Sequence, residues 1–203
     1  LATTYAGTFS IVSTEPDSNL LESFNTLDYT NTTATLGSMG PARKQLGTVN
    51  GDNRMAGQRL TLSQASNVYA DSFTVRMASV KSFSGGGDTN SVLLSIVAAD
   101  DSEVASYTYD FSSAAFAKGD YISFDLGGVE LESNAGGVVY EFQLYFGETD
   151  TENALSLERD NGGNSYAGGA LISKASTAAV LSLPIASPNG GNSDMTFFLQ
   201  GSV

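Results

Sequence analysis

Apolar residues recur at every second position in four stretches of the chain. Phe73, Val75 and Met77 alternate with Thr74, Arg76 and Ala78. Ile122, Phe124 and Leu126 alternate with Tyr121, Ser123 and Asp125. Tyr140, Phe142, Leu144 and Phe146 alternate with Glu141, Gln143 and Tyr145, and Met195, Phe197 and Leu199 with Thr196, Phe198 and Gln200. A period of two sends successive side chains to opposite sides of an extended strand. Each stretch therefore predicts a strand with one core face and one face toward solvent or a groove. Residues 5–12, 57–62, 91–98, 103–111, 154–158 and 168–173 are further strand candidates. Turn chemistry separates them at Gly51-Asp52-Asn53, Gly85-Gly86-Gly87-Asp88, Asp100-Asp101, Gly127-Gly128, Asn134-Ala135-Gly136-Gly137, Asn161-Gly162-Gly163-Asn164 and Asn189-Gly190-Gly191-Asn192. Helical patterns are scarce. Residues 112–118 fit one helical turn, and 19–24 and 173–180 are ambiguous. Ten or more strands without intervening helices predict an all-β protein, a two-sheet antiparallel β-sandwich with Greek-key closure of its edges. No internal repeat or linker divides the chain, so residues 1–203 read as a single domain.

Composition narrows the chemistry. The length of 203 residues suits one all-β domain and is ample for a core. With 9 Tyr and 11 Phe beside 22 Gly, the chain is turn-rich β rather than disordered. There is no Cys, which removes disulfides, thiolate metal sites and thiol nucleophiles. There is no His, which removes imidazole as base or ligand. Catalysis would have to rest on carboxylates, Tyr, Lys, Ser or an oxygen-bound metal. A net charge of −13 argues against nucleic acid as partner, since phosphate binding needs a basic face. No apolar run reaches the ~18 residues of a membrane span, so no membrane insertion is expected. The acidic, Lys-poor surface composition suits a secreted or cell-surface protein.

Glu148, Asp150 and Glu152 stand at alternate positions. On a strand they would share one face, with successive carboxylates ~6–7 Å apart. A retaining glycosidase needs two carboxyls ~5–5.5 Å apart. The spacing resembles the catalytic strand of laminarinase- and lichenase-type glycoside hydrolases, which are β-sandwiches of similar size. That resemblance implies Glu148 as nucleophile, Glu152 as acid/base and Asp150 as the residue that tunes the proton. The chain departs from the pattern: Thr149 and Thr151 stand where that family has apolar residues, and there is no Trp to line a cleft. Gly147 precedes the triplet, so the plainer reading is a solvated acidic turn.

A second constellation follows. Arg159 and Asp160 close a strand candidate, a Gly/Asn turn carries Asn164, and Tyr166 stands among small residues. Aromatic faces stack on sugar C–H groups while planar polar side chains fix hydroxyls, so this is a candidate sugar-contact loop. The alternative is a hairpin in which Tyr166 packs on its own loop. Residues 41–81 hold Arg43, Lys44, Arg54, Arg59, Arg76 and Lys81 against only Asp52 and Asp71. Gathered Arg side chains suit bidentate recognition of carboxylate or sulfate, and Arg54, Gln58 and Arg59 join the candidate binding set on that ground. Calcium is the natural metal for a chain rich in loop Asp and Asn. Glu15 and Asp17 follow the first strand candidate and Asp194 precedes the last. First and last strands often neighbour each other in sandwiches, so the three are candidate ligands of a structural ion. The alternative is an Asp bonded within its own turn.

Five stretches together carry a family likeness: Met55–Leu62, Ala70–Arg76, Gly119–Leu126, Tyr166–Ala170 and Ser193–Leu199. Their order resembles jelly-roll domains of exported bacterial proteins that look like carbohydrate-binding modules. Such domains accompany polysaccharide-degrading enzymes or surface-sorting tails. The resemblance implies a jelly-roll, glycan binding, a calcium ion, and fusion to catalytic or surface-anchoring domains. Sugar platforms often use Trp; here Tyr and Arg would have to substitute. The sequence thus reads as a non-catalytic carbohydrate-binding module for a polysaccharide, with an acidic or sulfated ligand slightly favoured. A glycoside hydrolase using Glu148 and Glu152, or a structural or adhesive surface domain, are the alternatives.

Overall fold

The computed structural model describes residues 20–23, 43–49, 52–82, 91–110, 119–146, 154–159, 168–176 and 194–202. Eleven strands run through them: β1 (Leu20–Ser23), β2 (Arg43–Val49), β3 (Asp52–Leu62), β4 (Val68–Ser82), β5 (Ser91–Ala98), β6 (Glu103–Asp110), β7 (Tyr121–Leu131), β8 (Val138–Phe146), β9 (Ala154–Glu158), β10 (Ala170–Ser176) and β11 (Phe197–Ser202). All pairings are antiparallel and form two sheets. Sheet A has the order β1-β11-β4-β7. Sheet B runs β10-β3-β8-β5-β6, and β2 pairs the first residues of β3. The 15-residue β4 belongs to both. Tyr69 to Arg76 pair with β7 and β11, and from Met77 onward the strand pairs with β9, which in turn pairs with β2. The fold is the all-β sandwich that the alternation predicts.

The apolar positions of that alternation meet between the sheets. Phe73, Val75, Ile122, Phe124, Phe197 and Leu199 from sheet A are buried with Leu60, Leu62, Val92, Leu94, Ile96, Phe142 and Leu144 from sheet B. The Phe73 and Phe142 rings join the layers, with centroids 4.6 Å apart. On the side where edge strands β6 and β7 meet, Tyr109 packs edge-on to Phe124 and the Tyr107 hydroxyl donates to the Leu126 carbonyl. Phe73, Phe124, Phe142 and Phe197 lie in the aromatic core that the alternation predicts; the Phe146 side chain lies outside the described residues.

Three local expectations change. Residues 43–49 form a strand although they show no alternation. Gly127-Gly128 does not end β7: both glycines have positive φ, 62° and 77°, and the strand bulges there, residues 126–128 lying opposite Asp71, before it continues to Leu131. The second face of β8 is not open to solvent. Glu141 and Gln143 are fully buried and Tyr145 nearly so, on a central strand flanked by β3 and β5. Residues 5–12 and 112–118 lie outside the described residues.

Candidate functional site

Two faces point away from the core, and they differ in chemistry. On sheet B, Arg59 stands opposite Glu141 in the register of β3 and β8. Its Nε and Nη2 donate to Glu141 Oε1 at 3.2 and 2.7 Å. Glu141 Oε2 accepts from Gln143 Nε2 at 2.8 Å. Ser95, beside Gln143 on β5, donates to Glu103. Glu141, Gln143 and Ser95 are all sealed, and the Arg59 side chain is 23% exposed. Gly57 lies in this row because β3 and β8 approach closely there; a Cβ would run into the Phe142 carbonyl. The network is closed to solvent, with the Gln143 Oε1 left without a hydrogen bond inside it, and it leaves little for a ligand to reach.

Sheet A presents a different outer face. Registers of β11, β4 and β7 place four rows across it: Ser202-Tyr69-Glu130, Gln200-Ser72-Asp125, Phe198-Thr74-Ser123, and then Arg76-Tyr121. Thr74 and Ser123 hydroxyls are hydrogen-bonded at 2.8 Å, and Ser72 donates to Gln200 Oε1 at 3.2 Å. Ser123, Asp125, Glu130 and Ser202 are exposed, and the Tyr69 ring is 43% exposed. Tyr69 donates to Glu130 Oε1 at 3.3 Å, and Asn67 Nδ2 donates to the same oxygen at 2.8 Å.

The far end of this face is held by charge. Arg76 Nη1 lies 3.0 Å from Glu158 Oε2, an ion pair outside ideal hydrogen-bond alignment. Arg76 Nε donates to the Gly119 carbonyl at 3.3 Å, and the guanidinium carbon sits 5.7 Å from the Tyr121 ring centre. The Tyr121 ring packs against Phe198 with centroids 6.3 Å apart. Burial pushes the Tyr121 hydroxyl above its ordinary pKa, opposed by Arg76 and assisted by Glu158.

The structure gathers some of the expected site residues and separates others. Gln58 is fully buried on the core side of β3. Its Nε2 donates to Asp194 Oδ1 at 2.8 Å and its Oε1 accepts from Met195 N at 2.9 Å. It fastens the strand leading into β11 and has no surface to offer a sugar. Arg159 bridges Met195, and Glu158 accepts from Thr196 N through its carbonyl, so Gln58, Arg159 and Asp194 do meet around residues 194–196. Arg59 stands on the other sheet from Arg76, so the Arg residues of segment 41–81 are not collected on one surface. Only the backbone of Arg54 is described, on β3 opposite Gly47 and Ala175. Asp160, Asn164, Tyr166, Glu148, Asp150 and Glu152 lie outside the described residues, as do Glu15 and Asp17. Asp194, the described member of the expected calcium set, is sealed and bound to the Gln58 amide, and no group of three acids among the described residues could hold a metal.

Sequence reasoning missed Tyr69, Ser72, Thr74, Ser123 and Gln200 as a surface. Each is a polar or aromatic residue at an off-core position of an alternating strand, and that signal was present. Which off-core residues become neighbours depends on pairing between strands distant in the chain. No family model matches the chain, and no curated protein proves similar to it.

Proposed function

We propose that this chain is a non-catalytic polysaccharide-binding domain and that the glycan lies on the outer face of sheet A. The observation that carries the reading is the open row of hydroxyl, amide and carboxylate groups between two tyrosines on that face. Planar polar side chains suit sugar hydroxyls, and a tyrosine ring suits the C–H face of a pyranose. The polar network on sheet B around Glu141 and Gln143 is sealed, so it offers no comparable row. Arg59 and Arg76 each already hold a carboxylate, so a sulfate or uronate would have to displace Glu141 or Glu158. A neutral glycan meets no such competition, which reverses the preference for an acidic ligand drawn from the sequence. The same proposal places the domain outside the cell, alongside catalytic or anchoring domains. It assigns no role in catalysis to Glu148 and Glu152.

Affinity electrophoresis tests this. Native gels containing neutral β-glucan, xylan or mannan should retard the protein, and a sulfated galactan gel should not. Ser123→Arg places a bulky side chain on an exposed position, where substitutions cost little stability, within about 0.5 kcal/mol. That variant should be markedly less retarded by the neutral polymer. Free migration of the wild type in every neutral gel refutes the reading. Reducing ends released from the same polymers, and lost in Glu148→Gln, would establish the hydrolase alternative instead.

A further inference from the structure

Resting on that reading, we infer that the outer face of sheet A is a two-ended track for a linear, neutral polysaccharide in extended form, gripped by Tyr69 at one end and Tyr121 at the other. The two rings lie on the same face, because Tyr69 and Arg76 share the off-core side of β4 and Tyr121 pairs with Arg76. Seven positions of β4 separate their rows, one of them taken up by the bulge at Asp71, which leaves a span of about 20 Å. Between them β4 and β7 carry only short side chains, Ser72, Thr74, Ser123 and Asp125, while on the β11 side stand Gln200 and the buried ring of Phe198. A chain lying along β4 and β7 thus meets an aromatic ring, then hydroxyl and carboxylate groups, then a second ring.

Spacing of the rings is fixed by the fold. Over this whole length β4 is hydrogen-bonded to β11 on one edge and β7 on the other. Tyr121 is held by Arg76 and Phe198, and Tyr69 by its bond to Glu130. Preorganised contacts of this kind lose little freedom when a ligand arrives. The charge of the face selects the ligand. Among the described residues, Asp71, Asp125 and Glu130 are exposed carboxylates along the track, and the cation Arg76 already faces Glu158. Sulfated or uronate chains would be repelled along their length, and a polyol without charge would not.

Two rings at a fixed separation make binding depend on chain length. Isothermal titration with graded cello-, xylo- and manno-oligosaccharides reads this directly. The shortest members of the favoured series should bind weakly, with two per protein. Members longer than about 20 Å should bind one per protein, roughly tenfold tighter or more, because the second ring is engaged intramolecularly. Tyr69→Ala and Tyr121→Ala should each reduce the short-ligand stoichiometry to one and bring long-ligand affinity down to the short-ligand level. Ser123→Arg, which sits on an exposed position between the rings, should keep both short-ligand sites and lose the length effect. A stoichiometry of one at every length, or a length effect that survives both tyrosine variants, overturns the track. If none of the neutral sugars binds the wild type, the polysaccharide-binding reading itself fails; if they bind through one ring alone, only the track does.

Discussion

Gln58 and Arg59 are neighbours in sequence and opposites in role. One points into the sandwich and ties β3 to the strand entering β11; the other lies on the outside of sheet B over a buried carboxylate. Gln58→Leu keeps the volume but removes a donor from Asp194 and an acceptor from Met195 N, both buried. Leaving such groups without their partner costs on the order of 3 kcal/mol. Urea unfolding should show that loss, and a change under ~1 kcal/mol would mean the amide is not the fastener described here. Arg59→Ala withdraws the cation from fully buried Glu141 and should destabilise by about 3 kcal/mol for the same reason, even after discount for its partial exposure. Its glycan affinity should be unchanged, because Arg59 stands on the other sheet from the track. A fall in affinity with stability intact would place the ligand on sheet B. The two residues joined one binding set because Arg is gathered in segment 41–81, yet as neighbours on a strand they face opposite ways. Which of the two faces is open is decided by what covers it.

At the scale of elements, alternation was informative where a strand has one wet face and uninformative where it has none or is interrupted. The strands at 72–80, 121–126 and 195–199 follow from their period of two. β8 follows too, yet Glu141 and Gln143 are polar and buried, so polarity there did not mark an open face. β2 was missed because Arg43–Val49 does not alternate; its pairing with β3 and β9 supplies what its own pattern lacks. Gly127-Gly128 was read as a turn because paired glycines usually permit one. Here the same positive φ values accommodate a bulge in β7 itself, where residues 126–128 lie opposite Asp71 alone before pairing resumes at Val129. Asp125 Oδ1 accepts from Gly127 N at 3.0 Å and holds the bulge in place. A β-branched residue at Gly127 must adopt the left-handed region, so Gly127→Val should cost about 1–2 kcal/mol. The cost should come from backbone strain alone, since no neighbour would crowd a Cβ there. Gly127→Asn should be milder than Gly127→Val, because Asn tolerates that conformation. Equal losses for the two variants would show that the backbone conformation is not the cause. The track itself was not legible for a related reason: its rows join β11, β4 and β7, which lie far apart in the chain, and no local pattern specifies that register.

For the whole molecule the governing quantities are the charge of −13 and a set of buried and partly buried tyrosines. Burial pushes the hydroxyls of Tyr107, Tyr121, Tyr140 and Tyr145 above the ordinary value. For each, the folded state holds its proton more tightly than the unfolded chain. Their contribution to stability is therefore complete below the unfolded pKa of about 10 and is lost as pH rises through the folded values. Each tyrosinate formed in that range also adds to a negative charge that already repels itself. Salt acts in the opposite direction on the second effect and hardly at all on the first. Raising ionic strength shortens the reach of charge repulsion to about 10 Å at 0.1 M, which relieves a compact polyanion more than an expanded one. The melting temperature at pH 7 should thus rise between low salt and about 0.15 M, and at pH 10.5 the protein should melt lower at every salt concentration tested. Glycan binding should not follow the salt curve, because ring stacking and hydroxyl contacts to a neutral polymer involve no net charge. Parallel melting and affinity-electrophoresis series in rising NaCl separate the two. A melting temperature indifferent to salt would show that the acidic surface is too dispersed to strain the fold. Retardation that fades as salt rises would show that an ion pair, and not the uncharged face of sheet A, holds the ligand.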